Sequence, residues 1–266
     1  MPAKKKKVVV VGGGIAGMQA AITATERGHE VVLLEATDKL GGQLHIASVP
    51  PHKENIEWVT EWFSEEIKRQ YIRVEYNCMA TLDIIQSYHP DAVILATGSR
   101  PWAPPIPGLE NGVESWDILS GKTELPSNKI ITIIGGGEVG CETGLLLEKE
   151  GNQITILEML DNYAKEMDQP NKIDLVKEFK EKNIHIITSA KVSAIEKDCV
   201  IYESAEGTKK IESEYTILAV GQRPFGIELQ EQLEETGIEV FVIVDAQRPA
   251  NIYHATQTGF LAALNL

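Results

Sequence analysis

The chain has 266 residues, of which 43% are hydrophobic and 24% charged, a composition that fits an ordinary folded protein of one or two domains. Its formal net charge of −14 repels nucleic-acid phosphates, which excludes a general nucleic-acid binder. The sequence has no run of about 18 apolar residues, so no membrane span is expected.

Cysteine usage points to a reducing compartment, and we expect a cytoplasmic protein. Cys78, Cys141 and Cys199 lie far apart and form no C-x-x-C pair. This pattern argues against a disulfide framework, a zinc site or a four-cysteine iron–sulfur cluster held by this chain alone. Each thiol is predicted to be a small packing residue, and no metal site is expected.

The first recognisable element is a glycine cluster between a strand and a helix. The continuous β-branched run Lys7–Val11 predicts a buried strand, and Gly12, Gly14 and Gly17 follow it as G-x-G-x-x-G. A helix and a second strand come next, and that strand ends at Glu35. This order is typical of a dinucleotide site, in which a pyrophosphate binds the helix N-terminus and the carboxylate binds a ribose.

The next segments continue the same predicted domain. Paired glycines in LGGQ, residues 40–43, suggest close backbone approach to a ligand. An amphipathic helix is predicted over 54–70, and strands over 71–76 and 92–95. ATGSRP follows, and then the proline-rich segment Pro101–Pro107, which is predicted to be an extended hinge into a second domain.

The glycine device then recurs at a constant offset of 123 positions. Its second copy consists of Gly135, Gly137, Gly140 and the strand-end carboxylate Glu158. A repeat of a whole supersecondary unit predicts two bound dinucleotides, or one dinucleotide and a vestigial site.

Glu158 also indicates which nicotinamide nucleotide is bound. A carboxylate at this position accepts hydrogen bonds from a free 2′-hydroxyl and repels a 2′-phosphate. Met159–Tyr163 contains no Arg or Lys that could hold such a phosphate, whereas Lys165 is the nearest cation and leaves NADPH open. The pattern favours NADH over NADPH.

The end of the chain returns to the first domain. LAVGQRP, residues 218–224, echoes LATGSRP, a strand is predicted over 240–244 before Asp245, and a helix over 252–264. The predicted fold class is α/β, with two Rossmann-like, three-layer ββα dinucleotide-binding domains, the second inserted into the first. The predicted domains are residues 1–105 with 223–266, which would bind FAD, and residues 106–222, which would bind NAD(H).

These motifs together resemble the two-dinucleotide-domain flavoprotein superfamily, which includes the pyridine nucleotide-disulfide oxidoreductases. GGQLHIASVPPHKENIEW is similar to the C-terminal reductase domains of the NADH:flavin oxidoreductase group, with 2,4-dienoyl-CoA reductase, 2-enoate reductase and trimethylamine dehydrogenase. The resemblance implies two cofactors, FAD and NADH (NAD+). It also implies a protein partner that carries FMN, an iron–sulfur cluster or both, because that group has an N-terminal barrel holding them. With the chain beginning at the reductase domains, a separate subunit, a fragment and a protein acting alone are all expected possibilities.

The resemblance also assigns site residues. Those implied to contact FAD are Gly12, Gly14, Ala16, Gly17, Glu35, Gly42, Gln43, Lys53, Ala80, Thr97, Gly98 and Asp245. Those implied to contact NADH are Gly135, Gly137, Gly140, Glu158 and Gly221. No side chain is assigned as a catalytic acid or base, and His45 and Cys141 are predicted to be packing residues. Because no cysteine pair follows LGGQ, thiol–disulfide chemistry at an active-site pair is excluded.

Three functional hypotheses follow. The preferred one is an electron-transfer flavoprotein that passes electrons from NADH through FAD to the partner. The second is a redox-silent subunit that holds ADP in the first site, which is suggested by Val244 where the family usually has glycine. The third is a stand-alone NADH oxidase or ferredoxin-type reductase. The sequence carries no signal for an oligomeric state.

Overall fold

The structure is a computed structural model that describes residues 4–266. It divides into two compact units. The first unit contains the chain through His45, Asn55–Arg100 and Arg223–Leu266, and the second contains Ile46–Glu54 and Pro101–Gln222. The predicted fold class, two Rossmann-like domains of which one interrupts the other, is confirmed.

The elements of the described residues are as follows. The strands are β1 (Lys7–Val11), β2 (Glu30–Leu34), β3 (Arg73–Glu75), β4 (Ala92–Leu95), β5 (Ser99–Pro101), β6 (Gly112–Glu114), β7 (Ile130–Ile134), β8 (Gln153–Leu157), β9 (His185–Ile187), β10 (Lys191–Ile195), β11 (Cys199–Ser204), β12 (Gly207–Glu212), β13 (Tyr215–Leu218), β14 (Gln222–Pro224) and β15 (Glu239–Val242). The α-helices are α1 (Ile15–Glu26), α2 (Leu44–Ala47), α3 (Asn55–Arg69), α4 (Leu82–Ser87), α5 (Ser115–Leu119), α6 (Glu138–Glu148), α7 (Gln169–Glu181), α8 (Ile227–Glu234) and α9 (Ile252–Leu264). Short 3-10 helices span Leu109–Asn111 and Val244–Ala246.

The first unit is built on a five-stranded parallel sheet in the order β15-β4-β1-β2-β3. Because side chains alternate along a strand, Val8 and Val10 face one core, and Val9 and Val11 face another. The first core lies under α1, α3 and α9, and the second under α4 and α8. Both faces of the sheet are therefore covered, as a parallel sheet requires.

The second unit repeats this plan with a different outer layer. Its parallel sheet has the order β6-β13-β7-β8-β9, with Ile131 and Ile133 facing a core that includes residues of α5, α6 and α7. On the opposite face, Ile134 packs with Val200 and Tyr202 of the antiparallel sheet β10-β11-β12. The aliphatic strands of each sheet are thus buried on both sides.

Close packing of α1 against α9 fixes the last helix of the first unit. A Cβ at Gly259 in α9 would overlap the carbonyl oxygen of Ala16 in α1. Only glycine allows the two backbones to approach so closely. Gly259 therefore fixes α9 against the first turn of α1, the helix that the first glycine loop opens.

Most predicted elements are found within one to three residues of their expected bounds, and the structure adds several elements that the sequence patterns do not predict, among them α4, α5 and β12. The helix α7 was not predicted, although its N-cap Asp168 accepts a hydrogen bond from Asn171 N at 3.1 Å and Pro170 lies in its first turn, both ordinary start signals. The strand predicted over 240–244 ends at Val242 instead, because Val244 adopts φ 44° within a 3-10 turn.

Candidate functional site

Two glycine loops with the same backbone geometry open the helices α1 and α6. Gly12 and Gly135 adopt φ values of 102° and 105°, which favour glycine. The N-caps Gly14 and Gly137 are both extended, with φ −68° and −70°, and neither helix has a side-chain cap. The first N–H groups of each helix are therefore not used by a capping side chain and point out of the helix end, as an anion site requires.

The glycines of each loop have different tasks. A Cβ at Gly17 would overlap the carbonyl oxygen of Gly12, and a Cβ at Gly140 would overlap that of Gly135. These glycines are required for packing within the protein. By contrast, no protein atom lies within 4 Å of a Cβ placed at Gly14 or Gly137. Open space beside an extended glycine at a helix N-terminus is the cradle that a pyrophosphate would fill.

The two strand-end carboxylates are buried, and both oxygens of each accept hydrogen bonds. Glu35 is 7% exposed and accepts from Gly13 N at 2.7 Å, from Thr37 N at 2.7 Å and from Thr37 Oγ1 at 2.7 Å. Glu158 is also 7% exposed and accepts from Gly136 N at 2.6 Å. Its second oxygen accepts from Leu160 N at 2.7 Å. Each carboxylate is thereby held at the edge of its glycine loop, with remaining lone pairs for ribose hydroxyls.

The LGGQ segment closes over the first glycine loop. Gly41 N donates to Gly13 O at 2.9 Å, and Gly42, with φ 53°, lies against Gly14. The amide Nε2 of Gln43 donates to Ser99 Oγ at 3.0 Å and to Asp245 Oδ2 at 3.0 Å. This network joins three distant segments of the first unit at the carboxyl edge of its sheet.

The remaining residues predicted for the first site have the following places. Thr97 Oγ1 donates to the carbonyl oxygen of Phe225, and Gly98 adopts φ 72° beside Gln43. Ala80 is half-buried before α4, two residues beyond Cys78, whose N–H donates to Glu35 O at 2.8 Å. These contacts hold the loops after β3 and β4 at the sheet edge where Glu35 lies.

Lys53 lies in the second unit, where its Nζ is 2.8 Å from the carboxylate of Glu142 on α6. The structure therefore groups it with the second glycine loop, and its contact with FAD stays a prediction.

Gly221 adopts φ 122°, and its carbonyl accepts from Trp102 N at 3.0 Å. Gly221 follows β13 as Gly98 follows β4, so it lies at the same point of the repeat.

Val244 does not present its side chain to the open side of the first site. It is 8% exposed and belongs to the core under α1 and α9. A left-handed φ of 44° is unfavourable for a β-branched residue, so the surrounding core holds this backbone in place. The next residue, Asp245, accepts from Gln43 and Ser99 through one oxygen and from Ala250 N at 2.9 Å through the other.

The three cysteines are free thiols. Cys141 is fully buried, and burial, followed by the charges of Glu142 and Glu158, raises its pKa to about 12. Cys199 is buried, and its Sγ donates to Glu196 Oε2 at 3.0 Å; burial and that hydrogen bond raise its pKa. Neither of these thiols is poised to be a nucleophile.

His45 is held by the LGGQ segment, since its Nε2 lies 2.8 Å from Leu40 O.

Two residues beside the candidate sites are not predicted by the sequence patterns. Ser99, the S of ATGSRP, joins the Gln43–Asp245 network, and Glu138 begins α6. Nothing in the local pattern marks Ser99, whereas Glu138 stands inside the second fingerprint as its fourth residue.

Comparison with known proteins identifies the family. The model of the pyridine nucleotide-disulphide oxidoreductase family matches residues 6–256, and the chain belongs to this family. The family expected from the motifs is therefore confirmed. The chain is thus a member of a family of oxidoreductases that use FAD and a nicotinamide dinucleotide, as predicted.

Individual relatives show how much of a longer protein the chain resembles. An NADH oxidase from Thermoanaerobacter brockii is 42% identical over 264 residues, which are 97% of this chain and 41% of that protein. A 2-naphthoyl-CoA reductase structure is 28% identical with a TM-score of 0.92, over 99% of this chain and 40% of that one. A thioredoxin reductase from T. acidophilum shares the fold, with a TM-score of 0.76 and 21% identity, over 98% and 97% of the two chains. The chain thus spans about two fifths of the length of its first two relatives.

The residues present fit both cofactors. Each unit offers an uncapped helix N-terminus, open space beside an extended glycine, and a buried carboxylate at the tip of the second strand. These are the hydrogen-bond donors, the open space and the acceptor that a dinucleotide requires.

Within residues 4–266, no helix combines the length and apolarity needed to cross a bilayer.

Proposed function

We propose that the chain is an NADH-dependent reductase module that delivers electrons, with FAD, to a protein partner. The observation that carries the proposal is the repeated site geometry: Glu35 and Glu158 accept equivalent backbone hydrogen bonds beside matched glycine loops. Two such sites in one chain suit one nucleotide that donates a hydride and one flavin that accepts it. FAD supplies the conversion between two-electron and one-electron transfer when it is bound.

In this proposal the first unit holds FAD. The N-terminus of α1 binds the pyrophosphate beside Gly14, and Glu35 accepts from the adenosine ribose. Gln43 and Asp245 orient the central part of the cofactor, since their side chains already form a hydrogen-bonded network at the sheet edge. The buried Val244 side chain leaves this side of the site free, which supports a complete FAD rather than ADP alone.

The second unit binds NADH. Its loop places Gly137 at the N-terminus of α6 and Glu158 at the tip of β8. The carboxylate of Glu158 favours a ribose with a free 2′-hydroxyl, because a 2′-phosphate there would meet a negative charge. This supports NADH over NADPH.

The electron acceptor is proposed to be a protein that carries FMN, an iron–sulfur cluster or both. The support is that relatives which align over almost the whole of this chain are about two and a half times as long. Their additional length leaves room for a further domain. We place the module in the cytoplasm, where sparse free thiols remain reduced.

The test is a visible spectrum of the purified protein followed by anaerobic addition of NADH or NADPH. We expect a flavin band that NADH bleaches and NADPH bleaches much less. Rapid re-oxidation by oxygen alone would instead favour the stand-alone NADH oxidase. A colourless protein that takes up no added FAD would contradict the proposal and favour a redox-silent subunit.

A further inference from the structure

The two glycine loops share their backbone but differ in charge. Four positions around the first loop that carry no carboxylate correspond, at the offset of 123, to carboxylates around the second. The pairs are Ile15 and Glu138, Gln19 and Glu142, Gln43 and Glu166, and His45 and Asp168. Since the backbone geometry of the two loops is the same, they differ mainly in the electrostatic environment that each offers to a bound phosphate group.

Of these four carboxylates, Glu138 is nearest in sequence to Gly137, beside which the pyrophosphate is proposed to bind. It is the first residue of α6, directly after the extended N-cap Gly137, as Ile15 is the first residue of α1 after Gly14. A carboxylate in the first turn interacts favourably with the helix dipole while the site holds no anion. A pyrophosphate at the same helix end would bring two negative charges close to it.

The charged groups that face Glu138 come from three segments of the second unit. Glu138 is exposed to solvent, and partial desolvation by the neighbouring segments, followed by the charge of Glu142 on the same helix, raises the pKa of its carboxyl. Glu166 and Asp168, in the segment before α7, act in the same direction, whereas Lys53 lowers it. Lys53 is itself 2.8 Å from the Glu142 carboxylate, so its charge is shared between the two acids.

We infer that Glu138 couples nucleotide binding at the second site to uptake of a proton, so that the affinity for a dinucleotide falls as pH rises. This inference rests on the proposed function in one respect, namely that the second site binds a nicotinamide dinucleotide. The corresponding position in the first site, Ile15, cannot titrate, so the coupling belongs to the second site alone.

The sign follows from the charges. The bound pyrophosphate disfavours the ionised carboxylate, so Glu138 holds its proton to higher pH in the complex than in the free protein. Binding therefore takes up a proton at pH values between the pKa of Glu138 in the free protein and its higher pKa in the complex. The affinity for the dinucleotide is highest below this pH interval, falls across it and is constant above it. One unit charge a few ångström from another in a solvated site corresponds to roughly a three- to tenfold change in affinity.

The experiment is calorimetric titration of the full chain with NAD+, which cannot reduce a flavin. It is run between about pH 5.5 and pH 8.5, in two buffers of different ionisation enthalpy, so that proton uptake is measured directly. The matched control is Glu228→Gln, which removes a first-turn carboxylate from α8, a helix outside both glycine loops.

For the unaltered protein and for Glu228→Gln, we expect fractional proton uptake at the lower pH values and a three- to tenfold loss of affinity towards the higher ones. For Glu138→Gln, we expect no uptake, a flat profile and tighter binding than the unaltered protein at high pH. The same uptake and profile in Glu138→Gln would overturn the inference while leaving the proposed function intact. No NAD+ binding by a folded, unaltered protein would overturn the proposed function, and this inference with it.

Discussion

Glu35 and Glu158, 123 positions apart, hold the same place in two copies of one structural unit. Each accepts a hydrogen bond from the middle residue of the three consecutive glycines in its loop, at 2.7 Å from Gly13 N and 2.6 Å from Gly136 N. Each also accepts one at 2.7 Å from the backbone N–H two residues further along the chain. Removing such a buried carboxylate is costly because it leaves two backbone N–H donors unsatisfied. Its hydrogen bonds also hold the glycine loop and the strand tip rigidly together.

The distinction between packing glycines and ligand-facing glycines predicts opposite effects of alanine. In Gly137→Ala, the added Cβ meets no protein atom within 4 Å and φ is −70°, so the free energy of unfolding should change by less than about 0.5 kcal/mol. Nicotinamide nucleotide binding should nevertheless be lost, because the Cβ occupies the pyrophosphate cradle. Denaturant unfolding together with calorimetric NAD+ titration measures both quantities.

The matched control for that experiment is Gly140→Ala, whose Cβ would overlap the carbonyl oxygen of Gly135. Here we expect a loss of several kcal/mol, or an unfolded protein, because helix and loop must separate. Equal stability of Gly137→Ala and Gly140→Ala would show that the two positions do not have these separate roles. The first unit offers the same comparison in Gly14 and Gly17.

Replacing Glu158 by glutamine should weaken NADH binding and reduce the preference over NADPH. Glutamine has one carbonyl oxygen, so Gly136 N or Leu160 N would lose its acceptor, at a cost of about 1–3 kcal/mol in stability. The lost charge no longer repels a 2′-phosphate, so the ratio of the two dissociation constants should move towards one. Fluorescence titration with both nucleotides measures it. Glu35→Gln, the equivalent change in the first unit, should leave that ratio unchanged, and an altered ratio there would count against separate sites.

His29 should make stability fall at acidic pH. It is 5% exposed, its Nδ1 accepts from Lys6 N at 3.1 Å, and burial followed by the charges of Arg27 and Lys6 lowers its pKa below the ordinary 6.5. The unfolded chain therefore binds a proton near pH 6.5 that the folded chain does not, so this contribution is complete above that pH and decreases below it. The slope attributable to one proton is at most about 1.4 kcal/mol per pH unit.

The internal repeat supplies the control for His29. Asn152 is its counterpart in the second unit and accepts from Lys129 N at 2.8 Å, so His29→Asn should preserve the hydrogen bond without titrating. Urea unfolding of both proteins from about pH 7.5 to about pH 5 should give curves that diverge as the pH falls. Parallel curves would show that His29 does not titrate on unfolding in this range.

Val244→Gly should lower stability slightly and leave FAD content unchanged. Glycine relieves the left-handed backbone, by about 1–3 kcal/mol, but removes a buried side chain worth about as much and adds entropy to the unfolded chain, so a net loss of about 1 kcal/mol is expected. Because the side chain lies in the core, its removal should not open the site further. The flavin absorbance per chain checks this, and a marked gain in bound FAD would show that Val244 obstructs the cofactor.

Much of both sites was predictable from the sequence because their essential signals are local. A β-branched strand, three glycines at fixed spacing and a carboxylate at the end of the next strand lie within about thirty residues, and the backbone conformations they require are set by residue type. The repeat of these signals at a constant offset predicted two candidate sites and two Rossmann-like units. Local patterns also predicted the strands β1 and β4 with the bounds that the structure has.

Tertiary structure decided what depends on contacts between distant residues. Gln43 meets Ser99 and Asp245, Lys53 pairs with Glu142, and the Val244 side chain turns into the core, none of which has a local signature. The physical reason is that backbone propensity and side-chain periodicity act over a few residues, whereas hydrogen bonding and burial depend on which segments the fold brings together. The sequence by itself determined that two glycine loops exist, each with a strand-end carboxylate, and only the packed structure determined which side chains lie beside them.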